Sequence, residues 1–319
     1  MAPHVSPPLK RLTRPDHPPP FRVTERDVAV LRLVARFRFL SSEQIVRAIG
    51  GSPHNMLGRL KLLFWHRLLD RPQHQHVQLA AFFDEGNPAL VYGLGLHGAR
   101  LLAELGASVD GRLDWTTKNA RVTTPFLAHT LEVAEVMLGI DAACRTEARV
   151  RLVDHHELLP LLPEATRTAR DPFRCRVSVR EPGVREPVVI GVVPDRLFSL
   201  AYPDATRHNF AVELDRATMD VRAATLKGKS SFRRKLVGYA EAWRQRRHTK
   251  VWGFQSFRVL TVTPSATRIA HMQAAQHEVT DGAAPGLFLY ATPGDLAAHG
   301  PLGPAWVSGS GERVALLGS

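Results

Sequence analysis

Three acidic residues in the middle of the chain could act together on a phosphate. The stretch "NFAVELDRAT", residues 209–218, alternates apolar and polar residues and predicts a strand. Side chains two positions apart share one face of a strand, so Glu213 and Asp215 are expected to point the same way. Asp195 ends the preceding apolar run "VVIGVVPD", which is typical of a central strand covered on both faces. If the two strands pair, the three carboxylates converge.

Such a cluster favours a bound metal ion. Like charges that lie close together raise one another's pKa values, and a divalent cation removes the repulsion. Carboxylate oxygens without Cys or His ligands select a hard ion, so we expect Mg²⁺ or Mn²⁺ held by Asp195, Glu213 and Asp215. An ion of this kind can activate water and stabilise a phosphoryl transition state. The alternative is a structural network in which the acids pair with Arg196 and Arg216.

The elements around these acids predict an α/β domain over residues 126–306. Its first helix is "FLAHTLEVAEVMLGIDAACR". Three strands follow, first an edge strand in "ARVRLVDHHELL" that includes His155 and His156, then two that carry the acids. The helix "SSFRRKLVGYAEAWRQRR", the strand "FRVLTVTP" and the helix "SATRIAHMQAAQHE" complete the order. Ser265 is the expected cap of the last helix, and the apolar stripe of the first is Phe232, Leu236, Tyr239 and Trp243. A possible extra strand alternates through residues 173–179. This order indicates an α/β sandwich around a mixed sheet.

Residues 22–107 predict a separate DNA-binding domain. Thr24 and Ser41 are suitable N-caps for two helices, and "PHNMLGRLKLLFWHRLLDR" has the spacing of a third. Two strands joined by the turn "DEGNP" follow, and "LHGARLLAELG" returns as a helix. Three helices, a two-stranded wing and a returning helix resemble a winged helix-turn-helix, whose third helix enters the major groove. The alternative is a winged helix that docks a protein partner.

Polar and basic side chains on two helices are the candidate DNA contacts. Near the start of the third helix we expect contacts with base edges, from His54, Asn55 and Arg59. Farther along we expect contacts with phosphates, from Lys61, Arg67 and Arg71. The helix after the acid-bearing strands, with the residues that follow it, adds four arginines off its apolar stripe: Arg233, Arg234, Arg244 and Arg247. The alternative for this second group is an ordinary solvated helix face.

Composition indicates a partner that is a polyanion. The 319 residues carry 42 Lys or Arg against 30 Asp or Glu, a net charge of +12. We therefore expect double-stranded DNA as the partner, with a membrane surface as the weaker alternative. Two cysteines far apart in sequence suggest a reducing, cytoplasmic location, and no apolar run is long enough to span a membrane. Residues 1–21 predict a disordered basic, Pro-rich arm, residues 108–125 a linker, and residues 307–319 a C-terminal tail.

Two short motifs in the acid-bearing region resemble those of the restriction-endonuclease-like nucleases. "VPD" at 193–195 precedes "ELD" at 213–215, with 17 residues between Asp195 and Glu213. That superfamily has a core of helix, strand, strand, strand, helix, strand, and its motif is an Asp followed on the next strand by acid-x-Lys. The resemblance implies a catalytic lysine, but Asp215 stands at its position.

The lysine of that superfamily can migrate to the following helix. Lys235 is therefore the expected replacement, and Lys229 is the second choice. The superfamily often adds an acid from its first helix, and Glu132 or Glu135 could take that part.

The layout of residues 22–306 is similar to the replication-relaxation family of plasmid and conjugative-element proteins. The marks, in order, are "TERDVAVLRLV", "VYGLGLHGARLL", "LAHTLEVAEVML", "VPDRLF", "FAVELDRATMD" and "RRKLVGYAEAW". The resemblance implies a DNA-binding protein of plasmid or mobile-element replication or mobilisation, located on the bacterial nucleoid or on a plasmid. Its expected partners are replication or conjugation proteins, and a homodimer is one expected assembly.

From these elements we expect an α/β fold class, described as α+β when the whole chain is considered. A winged helix-turn-helix precedes an α/β sandwich with a mixed, restriction-endonuclease-like sheet. Two functions remain open. One is a metal-dependent endonuclease or nickase that uses Asp195, Glu213, Asp215 and Lys235. The other is a non-catalytic replication or mobilisation accessory factor, or a transcriptional regulator, with a degenerate nuclease-like domain.

Overall fold

The protein is a mixed α/β chain, as its sequence predicts. The computed structural model describes residues 10–73, 75, 89–107, 109, 115–180, 185–218, 221, 226, 231–284 and 286–317. Internal contacts divide the chain into two compact units, residues 1–138 and 139–319. Among the described residues, no helix combines the length and the apolar character needed to cross a membrane.

The first unit is built from helices around a small sheet. Its helices are α1 (Glu25–Phe37), α2 (Ser42–Ile49), α3 (Pro53–Trp65), α4 (Leu96–Glu104) and α5 (Trp115–Ala120). Its strands are β1 (Phe39–Ser41), β2 (Leu69–Asp70) and β3 (Val91–Leu94), antiparallel in the order β1-β3-β2. The first strand and the turn of the predicted wing, residues 76–88, lie outside the described residues.

The predicted caps of the first two helices are confirmed. Thr24 is the N-cap of α1 and Ser41 is the N-cap of α2, each through a capping box with the residue three positions later. In such a box two backbone donors that the helix leaves unpaired are satisfied reciprocally. Ser52 caps α3 in turn, with Pro53 at the first helical position. A short turn that contains Gly50 and Gly51 separates the end of α2 from the start of α3.

The N-terminal residues that the structure describes lie against α3. Composition predicts a disordered arm over residues 1–21, but residues 10–21 make specific contacts. Arg14 Nε donates to the Phe64 carbonyl at 2.8 Å, and the ring of Phe21 stacks on that of His66 with centroids 4.9 Å apart. The described part of the arm is therefore part of the first unit's packing.

A long helix, α6 (Thr124–Thr146), contributes residues to both units. Leu127, Ala128 and Leu131 pack with Phe39 and Val91 in a small apolar cluster of the first unit. Residues from 139 onward belong to the second unit. The sequence places a linker at residues 108–125, whereas the division between compact units falls inside the helix that follows.

The second unit contains a seven-stranded mixed sheet. The strands of the second unit in chain order are β4 (Arg151–Val153), β5 (Cys175–Val179), β6 (Val188–Val192), β7 (Arg196–Ala201), β8 (Arg207–Leu214), β9 (Arg258–Val262), β10 (Phe288–Ala291), β11 (Trp306–Ser308) and β12 (Arg313–Val314). The order in the large sheet is β12-β11-β10-β9-β8-β7-β4. Strands β8, β9 and β10 run parallel, and the other neighbours are antiparallel.

Helices of the second unit are α7 (His155–Leu158), α8 (Glu164–Arg167), α9 (Phe232–Arg244), α10 (Arg247–Trp252), α11 (Ala266–Thr280) and α12 (Pro293–His299). Ser231 caps α9, and Ser265 caps α11 as predicted. Phe232, Leu236 and Tyr239 form the buried stripe of α9, while Trp243, predicted as its fourth member, is 38% exposed. In chain order, leaving out α7, α8 and the β5–β6 pair, the elements run α6, β4, β7, β8, α9, β9. The strands next to the acids, β7 and β8, therefore come between the helices α6 and α9 in the sequence.

The prediction of one central strand through "VVIGVVPD" is wrong. The run breaks at Pro194, and β6 pairs with β5 in a separate two-stranded sheet. Pro194 has no amide hydrogen to donate to a ladder, and Val189 is 62% exposed rather than covered. Asp195 therefore directly precedes the first residue of β7 instead of ending a central strand.

Two shorter segments also differ from their predictions. His155 and His156 lie in α7 rather than on an edge strand, because Asp154 and Glu157 form a capping box there. At the other end, β11 and β12 extend the large sheet into residues that the sequence sets apart as a C-terminal tail. Edge strands this short carry too little alternation to be recognised from sequence.

Candidate functional site

The three predicted acids lie where β7 begins and β8 ends, at one end of two neighbouring strands of the large sheet. Strand β7 is antiparallel to β8, so the start of β7 meets the end of β8. Leu214 N donates to Asp195 Oδ2 at 2.8 Å, and Asp195 N donates to the Val212 carbonyl at 3.0 Å. Glu213 lies between these two contacts on β8. The strand pairing thus brings Asp195 beside Glu213, as the sequence predicts.

Glu213 is buried on the face of β8 that α9 covers. It lies on the same side as Ala211, which belongs to the large apolar core, and its exposure is 2%. Both of its carboxylate oxygens accept hydrogen bonds from α9. Lys235 Nζ donates to Oε2 and Tyr239 Oη donates to Oε1. These donors are four positions apart, one helical turn, so α9 presents them on one face.

Burial and charge act in opposite directions on this cluster. Burial raises the pKa of Glu213 from its ordinary 4.5 to about 7, although attraction to the Lys235 ammonium lowers it and Asp195 raises it further. For Lys235, burial alone would lower the pKa, but attraction to Glu213, Asp195 and Asp215 raises it above its ordinary value. Burial also raises the pKa of Tyr239. The lysine therefore stays cationic and the tyrosine stays a hydrogen-bond donor at neutral pH.

Asp215 has a different set of partners from Glu213. Arg268 holds it through two hydrogen bonds, Nε to Oδ2 at 2.7 Å and Nη2 to Oδ1 at 2.9 Å. Thr263 Oγ1 also donates to Oδ2 at 2.8 Å. Arg268 lies in the first turn of α11, so Asp215 ties the end of β8 to that helix. Sequence reasoning missed Arg268 because 53 residues separate it from its partner.

The possible ligand atoms at this site suit a hard divalent cation only in part. Asp195 and Glu213 offer carboxylate oxygens, which Mg²⁺ and Mn²⁺ prefer. Both oxygens of Glu213 already accept hydrogen bonds from α9, and both oxygens of Asp215 accept from Arg268. A cation held by either carboxylate would have to compete with these donors. Within the described ranges, no group of three or more His, Cys, Asp or Glu side chains is arranged to hold a metal ion.

The other residues predicted for this centre are Lys229, Glu132 and Glu135. Lys229 lies outside the described residues. Glu135, the candidate acid from the first helix, accepts from Gln44 Nε2 at 3.0 Å and from Arg47 Nη2 at 2.7 Å in the first unit. Lys235 is thus the predicted lysine that the structure places against Glu213.

The six candidate DNA contacts of the first unit fall into two groups. His54, Asn55, Lys61 and Arg67 are exposed. Arg59 and Arg71 are instead engaged within the unit.

Arg59 pairs with buried Asp27, and its guanidinium lies 4.3 Å from the ring centroid of Phe21. Arg71 donates to Tyr92 Oη at 2.9 Å, and burial lowers its pKa. Both arginines are therefore committed to internal contacts.

The four candidate arginines of the second unit also differ in exposure. Arg244 has a side chain 71% exposed and pairs with Glu241. Arg233 and Arg234 are half-buried, and Arg234 donates to the Leu226 carbonyl. Arg247 Nε donates to the Arg176 carbonyl at 3.2 Å. Arg244 is the most exposed of these four side chains.

The fold and the acid–lysine cluster define a mixed α/β chain of two compact units, with a buried carboxylate centre in the second. The replication-relaxation family model matches residues 31–256, more than half of the chain. The chain belongs to that family, as its motifs predict, and the match includes Asp195, Glu213 and Lys235 but ends before Arg268. The family places the chain in the context of plasmid or mobile-element replication or mobilisation. Searches of curated proteins and of solved structures returned no match.

Proposed function

We propose that this chain binds double-stranded DNA during plasmid or mobile-element replication or mobilisation, with α3 as the helix that enters the major groove. The observation that carries the proposal is the two-sided character of α3. Its inner side buries Met56, Leu60 and Leu63, while His54 and Asn55 are exposed near its N-terminus. In this proposal α2 and α3 are the two helices of the helix-turn-helix. The second of them, α3, is packed on one side and exposes polar residues near its N-terminus, as base-edge contacts require.

Charge supports the same proposal. The chain carries +12 overall, and neutralising phosphates releases counterions, which drives binding of any sequence. In this scheme Lys61 and Arg67 contact phosphates, and His54 and Asn55 contact base edges. Arg59 and Arg71 instead hold α3 in place through Asp27 and Tyr92.

Selection from a random duplex pool, followed by fluorescence anisotropy, tests this assignment. Lys61→Ala should weaken binding to all duplexes alike, whereas Asn55→Ala should also relax the sequence preference, since a base contact contributes about 1–3 kcal/mol of discrimination. Arg32→Ala, at an exposed position of α1, is the control and should bind like the parent chain. Unchanged affinity and preference in both α3 variants would contradict the assignment.

The Lys235–Glu213 contact favours a second candidate function, metal-dependent cleavage or nicking of DNA. In this proposal Lys235 of α9, which contacts Glu213 and is attracted by Asp195, replaces the lysine missing from position 215. We propose Asp195 and Glu213 as the groups that hold Mg²⁺ or Mn²⁺, which would supply an activated water and charge stabilisation at the phosphate. Lys235 would orient that water or bind a phosphate oxygen, and Asp215 would position the end of β8 through Arg268.

Incubation of supercoiled plasmid with the protein and Mg²⁺ or Mn²⁺ tests cleavage. Nicking by the parent chain should be lost in Glu213→Ala and Lys235→Met. Equal nicking by the parent and Glu213→Ala would show that the activity belongs elsewhere. DNA binding without nicking under any metal would instead support the non-catalytic accessory factor or regulator.

The cellular setting belongs to the same proposal. A DNA-binding member of this family would lie on a plasmid or on the bacterial nucleoid, in the cytoplasm, beside replication or conjugation proteins. Homodimer formation would match two α3 helices to two half-sites about one helical turn apart. Light scattering of the protein with and without a duplex would test the dimer.

A further inference from the structure

A pocket in the first unit, distant in sequence from the carboxylate centre, gathers positive charge. It lies where α1 ends and where the chain passes from α5 to α6, and its volume is about 560 Å³. Three cationic side chains line it, Arg38, Lys118 and Arg121, and no acidic residue is among its lining residues in the described part of the chain. Its volume falls within the range of small-molecule sites.

Arg38 is held in this pocket by its backbone and by two aromatic rings. It follows α1 with φ 70° and ψ −48°, a conformation close to a γ-turn that non-glycine residues rarely adopt. Its guanidinium lies 5.0 Å from the ring centroid of Phe126 and 5.5 Å from that of Phe39. Strain of this kind persists where the surroundings impose it and is concentrated at functional sites.

The charge of Arg38 lacks a described counter-ion. Its Nε is buried without a hydrogen-bond partner, and no ion pair of Arg38 is found among the residues that the structure describes. Burial lowers its pKa, as expected for a cation that has lost water. A partly desolvated guanidinium is costly unless an anion compensates it. Within the described residues, no acidic group compensates the charge of Arg38 in this pocket.

The remaining lining residues suit an oxyanion with a planar group attached. Thr117 and Thr123 are exposed and contribute hydroxyl groups. Phe126 is 42% exposed, so one part of its ring is open to a second stacking partner. The N-terminus of α6 also lies here, and its first turn contains no acidic residue, which leaves the positive end of its dipole uncompensated by such a side chain.

We infer that this pocket binds a phosphate group, with Arg38 and Arg121 as its principal cationic contacts. Guanidinium groups match phosphate oxygens in a bidentate geometry, and several cations around one phosphate make charge-assisted hydrogen bonds. The phosphate comes either from a DNA backbone or from a free nucleotide. The inference depends on the residues of this pocket and not on the α3 contacts, so it does not require the proposed DNA-binding function.

The test uses the full chain and two probes, inorganic phosphate and a DNA duplex, with chloride at matched ionic strength as the background. The variants are Arg121→Ala, at an exposed position that should not disturb folding, and Arg38→Met, which keeps the apolar stem between the rings. Arg32→Met, exposed on α1 and outside the pocket, is the matched control. Calorimetry measures phosphate binding, and anisotropy measures duplex binding over a range of salt.

For a phosphate site, both pocket variants should bind inorganic phosphate about tenfold or more weakly, in line with the loss of a hydrogen bond to a charged group. If the phosphate belongs to a duplex, each variant should also reduce the slope of log K against log salt by about 0.9. Loss in the phosphate arm without any duplex binding would keep this site and reject the proposed DNA function. Equal behaviour of parent, pocket variants and Arg32→Met in both arms would overturn the site.

Discussion

Glu213 and Lys235 form an ion pair in which burial has a different net effect on each partner. Burial prevails over attraction in the pKa of Glu213, whereas attraction prevails over burial in the pKa of Lys235. Glu213 is 2% exposed, and its carboxylate accepts from Lys235 and Tyr239. Burial disfavours the carboxylate more than the lysine favours it, so the pKa of Glu213 lies near 7. A carboxyl group that titrates near neutral pH is suited to proton transfer. Its titration should also be visible in protein stability.

Stability should fall as the pH rises from about 4.5 to 7 because of Glu213. In this window the folded chain holds a proton on Glu213 that the unfolded chain has lost, so the unfolded state binds fewer protons and the free energy of unfolding decreases. A shift from 4.5 to about 7 corresponds to roughly 3 kcal/mol. Lys235 does not contribute to this change, since its pKa is raised and it stays protonated throughout.

Urea unfolding between pH 4.5 and 8 measures the effect, with Glu213→Gln as the comparison. The difference between the two chains should isolate Glu213 from histidines that titrate in the same range. The parent should lose more stability than Glu213→Gln across the window. Superimposable pH profiles would contradict the raised pKa.

Asp215 and Arg268 allow a second prediction at the residue scale. The pair is nearly inaccessible, with side-chain exposures of 2% and 15% and an Nε–Oδ2 distance of 2.7 Å. Arg268→Met leaves a buried carboxylate without its partner and should cost about 3–5 kcal/mol of unfolding free energy. Chemical denaturation at neutral pH measures it.

The matched control is the Arg244–Glu241 pair on α9, which has the same 2.7 Å separation. Its side chains are 71% and 20% exposed, so water screens the charges. Arg244→Met should therefore cost no more than about 1 kcal/mol. Similar losses for the two variants would mean that burial does not govern the Asp215 pair.

At the scale of elements, the position of α9 depends on how closely it approaches the β5–β6 hairpin. Gly238 faces β6, and a Cβ built there would lie 2.3 Å from Val192 Cγ1. The glycine therefore allows α9 to approach the hairpin while Lys235 and Tyr239 contact β8. A glycine inside a helix is unfavourable for the helix alone, so its presence here has a packing reason.

Gly238→Ala should destabilise the protein by about 1–3 kcal/mol, because overpacking outweighs the better helix propensity. Gly139→Ala on α6 is the matched control, since nothing lies within 4 Å of a Cβ at that position. That change should stabilise the protein by up to about 1 kcal/mol. Thermal denaturation measures both, and stabilisation by both substitutions would contradict the close α9–β6 contact.

At the scale of the whole molecule, net charge is the property most directly tied to a partner. A chain with +12 and a pI of about 10.4 attracts polyanions before any specific contact forms. This attraction is screened by salt, unlike the buried pairs of the second unit.

Duplex affinity should therefore fall steeply with salt. If the chain contacts six to ten phosphates, affinity should drop by about 10³–10⁵ between 50 and 200 mM salt. Anisotropy with a random-sequence duplex measures it, and polyglutamate of equal charge is the control for attraction to any polyanion. A duplex affinity that does not change with salt would contradict phosphate binding.

Local features of this protein were predictable because the interacting groups are close in sequence. Thr24 and Ser41 cap their helices through residues three positions away, so the capping boxes can be recognised in the sequence. The strand carrying Glu213, the stripe of α9 and the family motifs are similarly local. Net charge needs no structure at all.

The tertiary structure decided which distant groups meet. The sequence suggested that Lys235 could reach Glu213, but the contact depends on α9 packing over β8 across 22 residues. Tyr239 was predicted only as part of an apolar stripe, and Arg268 was not predicted at all. Their roles follow from strand order and helix packing, which arise from many weak long-range contacts rather than from any short pattern. The acids at the end of β8 were thus determined by sequence, and their partners by the fold.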